Sequence, residues 1–156
     1  MSDFKEDFNN VLIEAYHNIL LLEETKKKYS RTSFSFRDRN VISYLVRFEN
    51  GRNIGDVAAY LRISRPSATA LIKKLEKHGL VEKHTEPGNE RGTMVALTKK
   101  GQLFEIYQKR YRKRLAAKVG EEFTEEEKVI LYRGFRKLSD FFEESINEME
   151  RLHNKK

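Results

Sequence analysis

Apolar residues recur every three or four positions from the start of the chain. Phe4, Phe8, Leu12, Ala15, Ile19 and Leu22 form one stripe, and Val11, Tyr16 and Leu20 widen it. The spacing predicts a helix over 3–28. It is apolar over enough of its girth to bury two sides. Ser33-Phe34-Ser35-Phe36 breaks the period. Ser35 is an N-cap candidate with Asp38 three residues on, and Val41, Ile42, Leu45 and Val46 predict a second helix ending near Asn50-Gly51. Asn53 can cap a short third helix, Ile54–Leu61, with Val57, Ala58 and Leu61 inward.

A different pattern follows. Ala68, Leu71, Ile72 and Leu75 share one face of a helix over about 65–78, capped by Ser64 and stopped by Gly79. Pro66 sits in its first turn, where its missing N–H would have no intrahelical partner. The runs 80–84 and 93–97 are β-prone, and Pro87-Gly88-Asn89-Glu90-Arg91-Gly92 between them is rich in turn formers. They predict a hairpin with a long polar tip. Thr98 can cap a fifth helix to about Val119, carrying Phe104, Tyr107, Tyr111 and Leu115, and Gly120 ends it. Thr124 with Glu127 reads as a capping box. It opens a sixth helix with Tyr132, Phe135, Leu138, Phe142, Ile146 and Met149 on one face.

Two short helices joined by Arg62-Ile63-Ser64, the second longer and followed by a hairpin, form the helix-turn-helix plan. With 68, 71, 72 and 75 buried, the outward face of the second helix carries Arg65, Pro66, Ser67, Thr69, Ala70, Lys73, Lys74 and Lys77. Compact side chains lie toward its start and lysines toward its end. A recognition helix enters a major groove about 12 Å wide, so small residues suit its first turns. Arg65 can reach guanine O6 and N7, Ser67 and Thr69 can bond base or phosphate, and Ala70 can touch a thymine methyl. Lys73 and Lys74 then meet the phosphate walls.

Charge sharpens this picture. The net charge is +7, which alone points only weakly to a polyanionic partner. Its distribution says more. Residues 1–50 carry eight basic and eight acidic side chains, and 51–100 carry ten and five. Residues 101–120 carry six and one, and 121–156 carry seven and ten. The positive charge is confined to the middle of the chain, around the helix-turn-helix.

Composition closes off other chemistries. There is no cysteine, which excludes disulfides, thiolate metal sites and thiol redox sensing. His17, His78, His84 and His153 are scattered without metal-ligand spacing, so no metal and no cofactor are expected. No P-loop, nucleophile elbow or acid–base cluster appears, and the expectation is that the chain is not an enzyme. Glu121, Glu122, Glu125, Glu126 and Glu127 mark a helix entry, where carboxylates favour the dipole. No run approaches the ~18 apolar residues of a membrane span and no secretory signal is visible, so a cytoplasmic protein without membrane contact is expected.

Several of these residues carry a family resemblance. Val57-Ala58-Ala59-Tyr60-Leu61, then Ser64, Ser67 and Thr69, then Leu75-Glu76-Lys77-His78-Gly79-Leu80-Val81, and finally Leu97-Thr98-Lys99-Lys100-Gly101 resemble the winged-helix core of the MarR family of bacterial transcription regulators. The spacing of Leu-Glu-x-x-Gly-Leu and Leu-Thr-x-x-Gly is its most specific part. The resemblance implies a mainly α fold with a small β-hairpin wing, one domain over 1–156. Its DNA-binding lobe would span 36–100, and its dimerisation helices 1–32 and 101–156. It also implies a homodimer on a pseudo-palindromic double-stranded operator. Repression is the expected sign, because a dimer on a promoter blocks polymerase without further contacts, although the sequence itself does not show the sign. Ser64 joins the recognition-helix residues as a DNA contact. Asn89-Glu90-Arg91 aligns with the family's wing Asp-x-Arg, so Arg91 would enter the minor groove with Asn89 beside it. A small-molecule effector would sit against Phe8, Leu12, Tyr16, Ile42, Leu45, Phe104, Tyr107 and Tyr111.

The runs Ile19–Glu24 and Gly134-Phe135-x-x-Leu138 are similar to the fatty-acid-synthesis repressor subgroup, whose co-regulator is an acyl-carrier protein. Lys109, Arg110, Arg112, Lys113 and Arg114 would suit so acidic a partner, and could equally face DNA or solvent. A winged helix used for protein contacts is the other alternative.

Overall fold

The computed structural model describes residues 3–30, 34–85, 88 and 92–153. Asp3 opens the first helix, α1 (Phe4–Tyr29), accepting the Lys5 N–H with its side chain. Glu6 and Asp7 in the first turn and Lys26–Lys28 in the last complement the helix dipole. No residue of α1 is buried. The sequence pattern predicts two covered sides, and within one chain neither is covered. Phe4, Val11 and Tyr16 all remain more than half exposed.

Ser35 and Asp38 close a full capping box at the start of α2 (Phe36–Leu45). The Ser35 N–H donates to Asp38 at 2.7 Å, and the Asp38 N–H to Ser35 Oγ at 3.2 Å. This helix stops earlier than its apolar pattern predicts. Beyond Leu45 the chain tightens into three-residue turns, Arg47 N–H to Tyr44 O and Phe48 N–H to Leu45 O, and reverses at Gly51. The reversal has φ +71°, and a Cβ on Gly51 would lie 2.1 Å from the Val95 carbonyl oxygen. Only glycine permits both. The turn delivers β1 (Arg52–Asn53), a two-residue strand absent from the sequence prediction.

Asn53 accepts the Asp56 N–H at 2.8 Å and caps α3 (Ile54–Leu61). Arg62, in the left-handed conformation, turns the chain into α4 (Arg65–Lys77). Gly79 (φ +69°) ends that helix by returning its N–H to Glu76 O, while Leu80 N–H reaches Leu75 O. The strands β2 (Val81–His84) and β3 (Met94–Leu97) pair antiparallel, Val81 opposite Leu97 and His84 opposite Met94. The sheet order is β1-β3-β2.

The core under these elements is aliphatic: Val41, Ile42, Leu45, Val57, Ile72, Leu75, Leu80, Val81, Val95 and Leu97. Phe34 and Phe104 close one side, edge to face at 5.1 Å. The two motifs that carry the family resemblance meet here. Thr98 N–H donates to Leu80 O at 3.1 Å, and Thr98 Oγ1 donates to Gly79 O at 2.6 Å while accepting the Gly101 N–H at 3.1 Å. Their sequence spacing is therefore a contact, and it launches α5 (Lys99–Gly120). Glu105, almost fully buried, accepts a hydrogen bond from Ser43 Oγ at 2.9 Å and fastens the start of α5 to α2.

The chain divides into two compact units inside α5, between Gln108 and Lys109. In the second, the Thr124 N–H donates to the Glu127 carboxylate at 2.8 Å and the Glu127 N–H to Thr124 Oγ1 at 3.2 Å, at the head of α6 (Glu125–His153). No residue of α6 is buried, so Tyr132, Phe135, Phe142 and Met149 line an uncovered face. Nothing lies within 4 Å of a Cβ placed on Gly134, so no described part of the chain crosses there. The end of α5 and the start of α6 enclose a crevice of about 620 Å³, lined by Leu115, Ala116, Val119, Leu131, Tyr132 and Phe135 with Arg112 and Lys128 at its rim.

Candidate nucleic-acid interface

The site is one face of one helix. Ser64 Oγ accepts the Ser67 N–H at 3.2 Å and starts α4, leaving Pro66 in the first turn without a lost hydrogen bond. Ala68, Ile72 and Leu75 then bury in the core and fix the rotation of the helix about its axis. That rotation turns Arg65, Pro66, Ser67, Ala70, Lys73 and Lys77 outward, exposed to solvent, with Thr69 half-buried among them. Arg65, Pro66, Thr69, Ala70 and Lys73 border a shallow notch of about 420 Å³ on this face. Among the described residues, no acidic side chain pairs with Arg65, Lys73 or Lys77. Their charge is available to a polyanion.

Two hydroxyls on this face are already engaged. Thr69 Oγ1 donates to Arg65 O at 2.9 Å. Ser67 Oγ shares a 2.8 Å hydrogen bond with Ser64 Oγ.

Lys74 differs from the sequence expectation. It is predicted to meet the phosphate wall, yet its Nζ is bonded to the carboxylate of Asp38, which is almost wholly buried. The Phe34 ring lies 5.8 Å away, on the same side. A buried carboxylate requires a charged or hydrogen-bonding partner, and Lys74 is the cation within reach. Arg39, next to Asp38, reaches both Phe34 O and the Glu23 carboxylate on α1. These two ion pairs tie α1 and α4 to the two sides of one helix turn in α2. Sequence spacing carries no trace of them, because the partners are 16 and 36 residues apart. The hairpin is braced in a similar way, with Lys83 Nζ on Glu76 at 2.7 Å, and Lys100 Nζ donates to His78 O at 2.7 Å to join the start of α5 to the end of α4.

Asn89 and Arg91, the expected wing contacts, lie outside the described residues. The expected effector residues fall in different surroundings. Ile42 and Leu45 are fully enclosed in the core and have no surface left for a ligand. Phe104 packs against the edge of that core. Phe8, Tyr16, Tyr107 and Tyr111 are exposed, and Leu12 is partly so. Lys109, Arg110, Arg112, Lys113 and Arg114 are exposed along α5.

Residues 34–92 match the MarR family model. These residues include α2, α3, α4 and β2 and stop just short of β3. Over these residues the chain resembles a MarR-family winged helix-turn-helix. The MarR likeness extends beyond that lobe. The crystal structure of Streptococcus pneumoniae FabT in complex with DNA is similar over 90% of this chain and 98% of its own, at a TM-score of 0.75 and 25% identity. A MarR family protein from Bacillus stearothermophilus is similar in fold over 88% of this chain and 94% of its own, at a TM-score of 0.66 and 22% identity. A curated relative, the transcriptional activatory protein BadR of Rhodopseudomonas palustris, is 38% identical over 52 residues. That match spans 33% of this chain and 30% of BadR.

No described helix is long and apolar enough to cross a membrane. No three metal-ligating side chains come together among the described residues.

Proposed function

We propose that this chain is a transcription regulator that binds double-stranded DNA as a homodimer, with α4 in the major groove. One observation carries the reading: the inner face of α4 is locked into the core while its outer face presents Arg65, Ala70 and Lys73 uncovered. The likeness to FabT, whose structure is a DNA complex, supports it. Exposed cations on a helix held at fixed rotation provide the phosphate contacts that set register and the base contacts that set sequence. The reading assigns the protein to the cytoplasm and to no catalytic role.

The pairing follows from what one chain leaves open. Faces of α1 and α6 rich in Phe, Tyr and Leu remain exposed, and contiguous apolar surface of that kind marks an interface. Two copies about a two-fold axis would set their α4 helices about 34–36 Å apart, one turn of DNA, and read a pseudo-palindrome. Gly134 has open space around it in the single chain. An alanine there improves helix propensity by about 1 kcal/mol. If α6 crosses its counterpart at Gly134, Gly134→Ala instead raises the dimer dissociation constant severalfold in sedimentation equilibrium. A dimer as tight as the parent's removes Gly134 from the interface.

We read the sign as repression, because a dimer seated on a promoter blocks polymerase without further contacts. The BadR match favours activation as the second reading. A reporter with the operator moved from inside to upstream of the promoter separates the two. Release by a small apolar or aromatic ligand is also proposed, supported by the exposed rings of Phe8, Tyr16 and Tyr107. Such a ligand acts by binding one arrangement of the dimer better than the other.

Arg65→Ala tests the DNA reading directly. Its loss should lower discrimination between operator and random duplex by ~1–3 kcal/mol per half-site, measured by competition binding. Unchanged discrimination would remove Arg65 from base readout. A winged helix used for protein contacts would show no operator preference in the parent protein.

A further inference from the structure

Two hydroxyls and two apolar groups stand on the outward turns of α4, and both hydroxyls already hold a hydrogen bond to the helix's own first turns. The Thr69 proton goes to Arg65 O at 2.9 Å, four residues back. Ser67 Oγ is held by Ser64 Oγ at 2.8 Å. A threonine whose hydroxyl proton goes to its own helix has no proton left to donate to a base, and its methyl is the apolar group it offers beside the remaining lone pairs. The notch of about 420 Å³ is lined by that threonine, the Pro66 ring and the Ala70 methyl together with Arg65 and Lys73. Its lining joins apolar groups to two cations.

We infer that this notch seats the C5-methyl group of a pyrimidine, and that Thr69 determines specificity through its methyl and not through its hydroxyl. The inference rests on the DNA-binding reading above. The C5-methyl of thymine is the one apolar group that unmodified base pairs display in the major groove. 5-Methylcytosine offers the same group on the other pyrimidine. Water in an apolar notch lacks the two to four polar partners it needs, so exchanging that water for a methyl is favourable. The flanking cations supply the orientation. Arg65 faces the neighbouring base edge, and Lys73, two turns along the same face, meets the phosphate wall.

The test uses the full chain and duplexes about 30 base pairs long enriched from a random pool. The best binder is then remade with deoxyuridine in place of every thymidine, which deletes the methyl groups alone. Burial of one methyl predicts about fourfold weaker binding per half-site, and about fifteenfold for both. Thr69→Val keeps the methyl and removes the hydroxyl, so its uracil penalty should equal the parent's. Thr69→Ser keeps the hydroxyl and removes the methyl, so its penalty should shrink to less than about twofold per half-site.

A third duplex places 5-methylcytosine where the critical thymine stood. Recovery relative to cytosine means that either methylated base is accepted, and no recovery assigns the notch to thymine. Equal binding of thymine and uracil duplexes by the parent overturns the inference and leaves DNA binding intact. So does a penalty retained in Thr69→Ser and lost in Thr69→Val. If no sequence is enriched at all, the underlying DNA-binding reading is what fails.

Discussion

Gly101→Ala should destabilise the winged-helix lobe by at least about 3 kcal/mol, the scale at which a single change is diagnostic of a named defect. The added Cβ would stand 2.0 Å from the Leu80 carbonyl oxygen and 3.0 Å from its carbonyl carbon. Both are backbone atoms, so no side chain can swing aside. The Leu80 oxygen is already accepting the Thr98 N–H. Relief would have to move the start of α5 away from the end of α4, and that movement breaks the Thr98 bonds to Gly79 and Leu80. Overpacking of ordinary cores costs about 1–3 kcal/mol through flexible neighbours, and here the neighbour is rigid. In a domain whose whole stability is about 5–15 kcal/mol, the thermal midpoint should fall by roughly 10 °C. DNA retention should fall with it, because α4 is anchored through the same junction. Lys99→Ala, exposed and two residues away, should leave the midpoint within about 2 °C. A Gly101→Ala protein that melts with its parent would mean that α5 does not approach Leu80 this closely.

That junction shows why so much of this fold is legible from sequence. Caps are local: Ser35, Asn53, Ser64 and Thr124 each serve a backbone N–H three residues ahead, and all four helix starts are predicted at the right residue. The buried face of α4 is also local, since Ala68, Ile72 and Leu75 recur at helical spacing. Pairings set by tertiary geometry are not local. The two residues of β1 are too few to show a period of two, and β1 exists because Gly51 lets the chain run beside Val95. For the same reason α2 ends at Leu45 although apolar residues continue to Val46 and Phe48. The candidate site divides along this line. Which residues of α4 face outward is visible in the periodicity. The bonds of the Thr69 and Ser67 hydroxyls, to partners four and three residues back, are local too, whereas the pairing of Lys74 with Asp38 is visible only once α2 and α4 are packed. The uncovered stripe of α1 is a further case, because its apolar pattern states that something covers it without stating what.

Affinity for the operator should fall by ~10³–10⁵ between 50 and 200 mM salt, for a dimer that neutralises about 6–10 phosphates. The charge pattern sets this expectation: the basic excess lies between residues 51 and 120, while the last 36 residues are net acidic. Counterion release scales with the number of cations that reach phosphate, so single lysine removals divide the helix into contacting and structural cations. Lys73 is exposed and has no acidic partner among the described residues. Lys73→Ala should flatten the slope of log affinity against log salt by about one unit per half-site and leave the melting temperature unchanged.

Lys74, one residue on, should behave differently. Its ammonium is committed to Asp38, whose side chain is 4% exposed. Truncation would leave that carboxylate buried with, among the described residues, only the Ser35 N–H to serve it. The cost of an unpaired buried charge runs to ~3–5 kcal/mol, and the 44% exposure of the Lys74 side chain lowers this to roughly 1–2 kcal/mol through solvent screening. Lys74→Ala should therefore lower the melting temperature by several degrees and change the salt slope by less than about half a unit. A Lys74→Ala protein with parental stability and a slope flattened as much as by Lys73→Ala would show that the Asp38 pair opens on DNA and that both lysines serve phosphate.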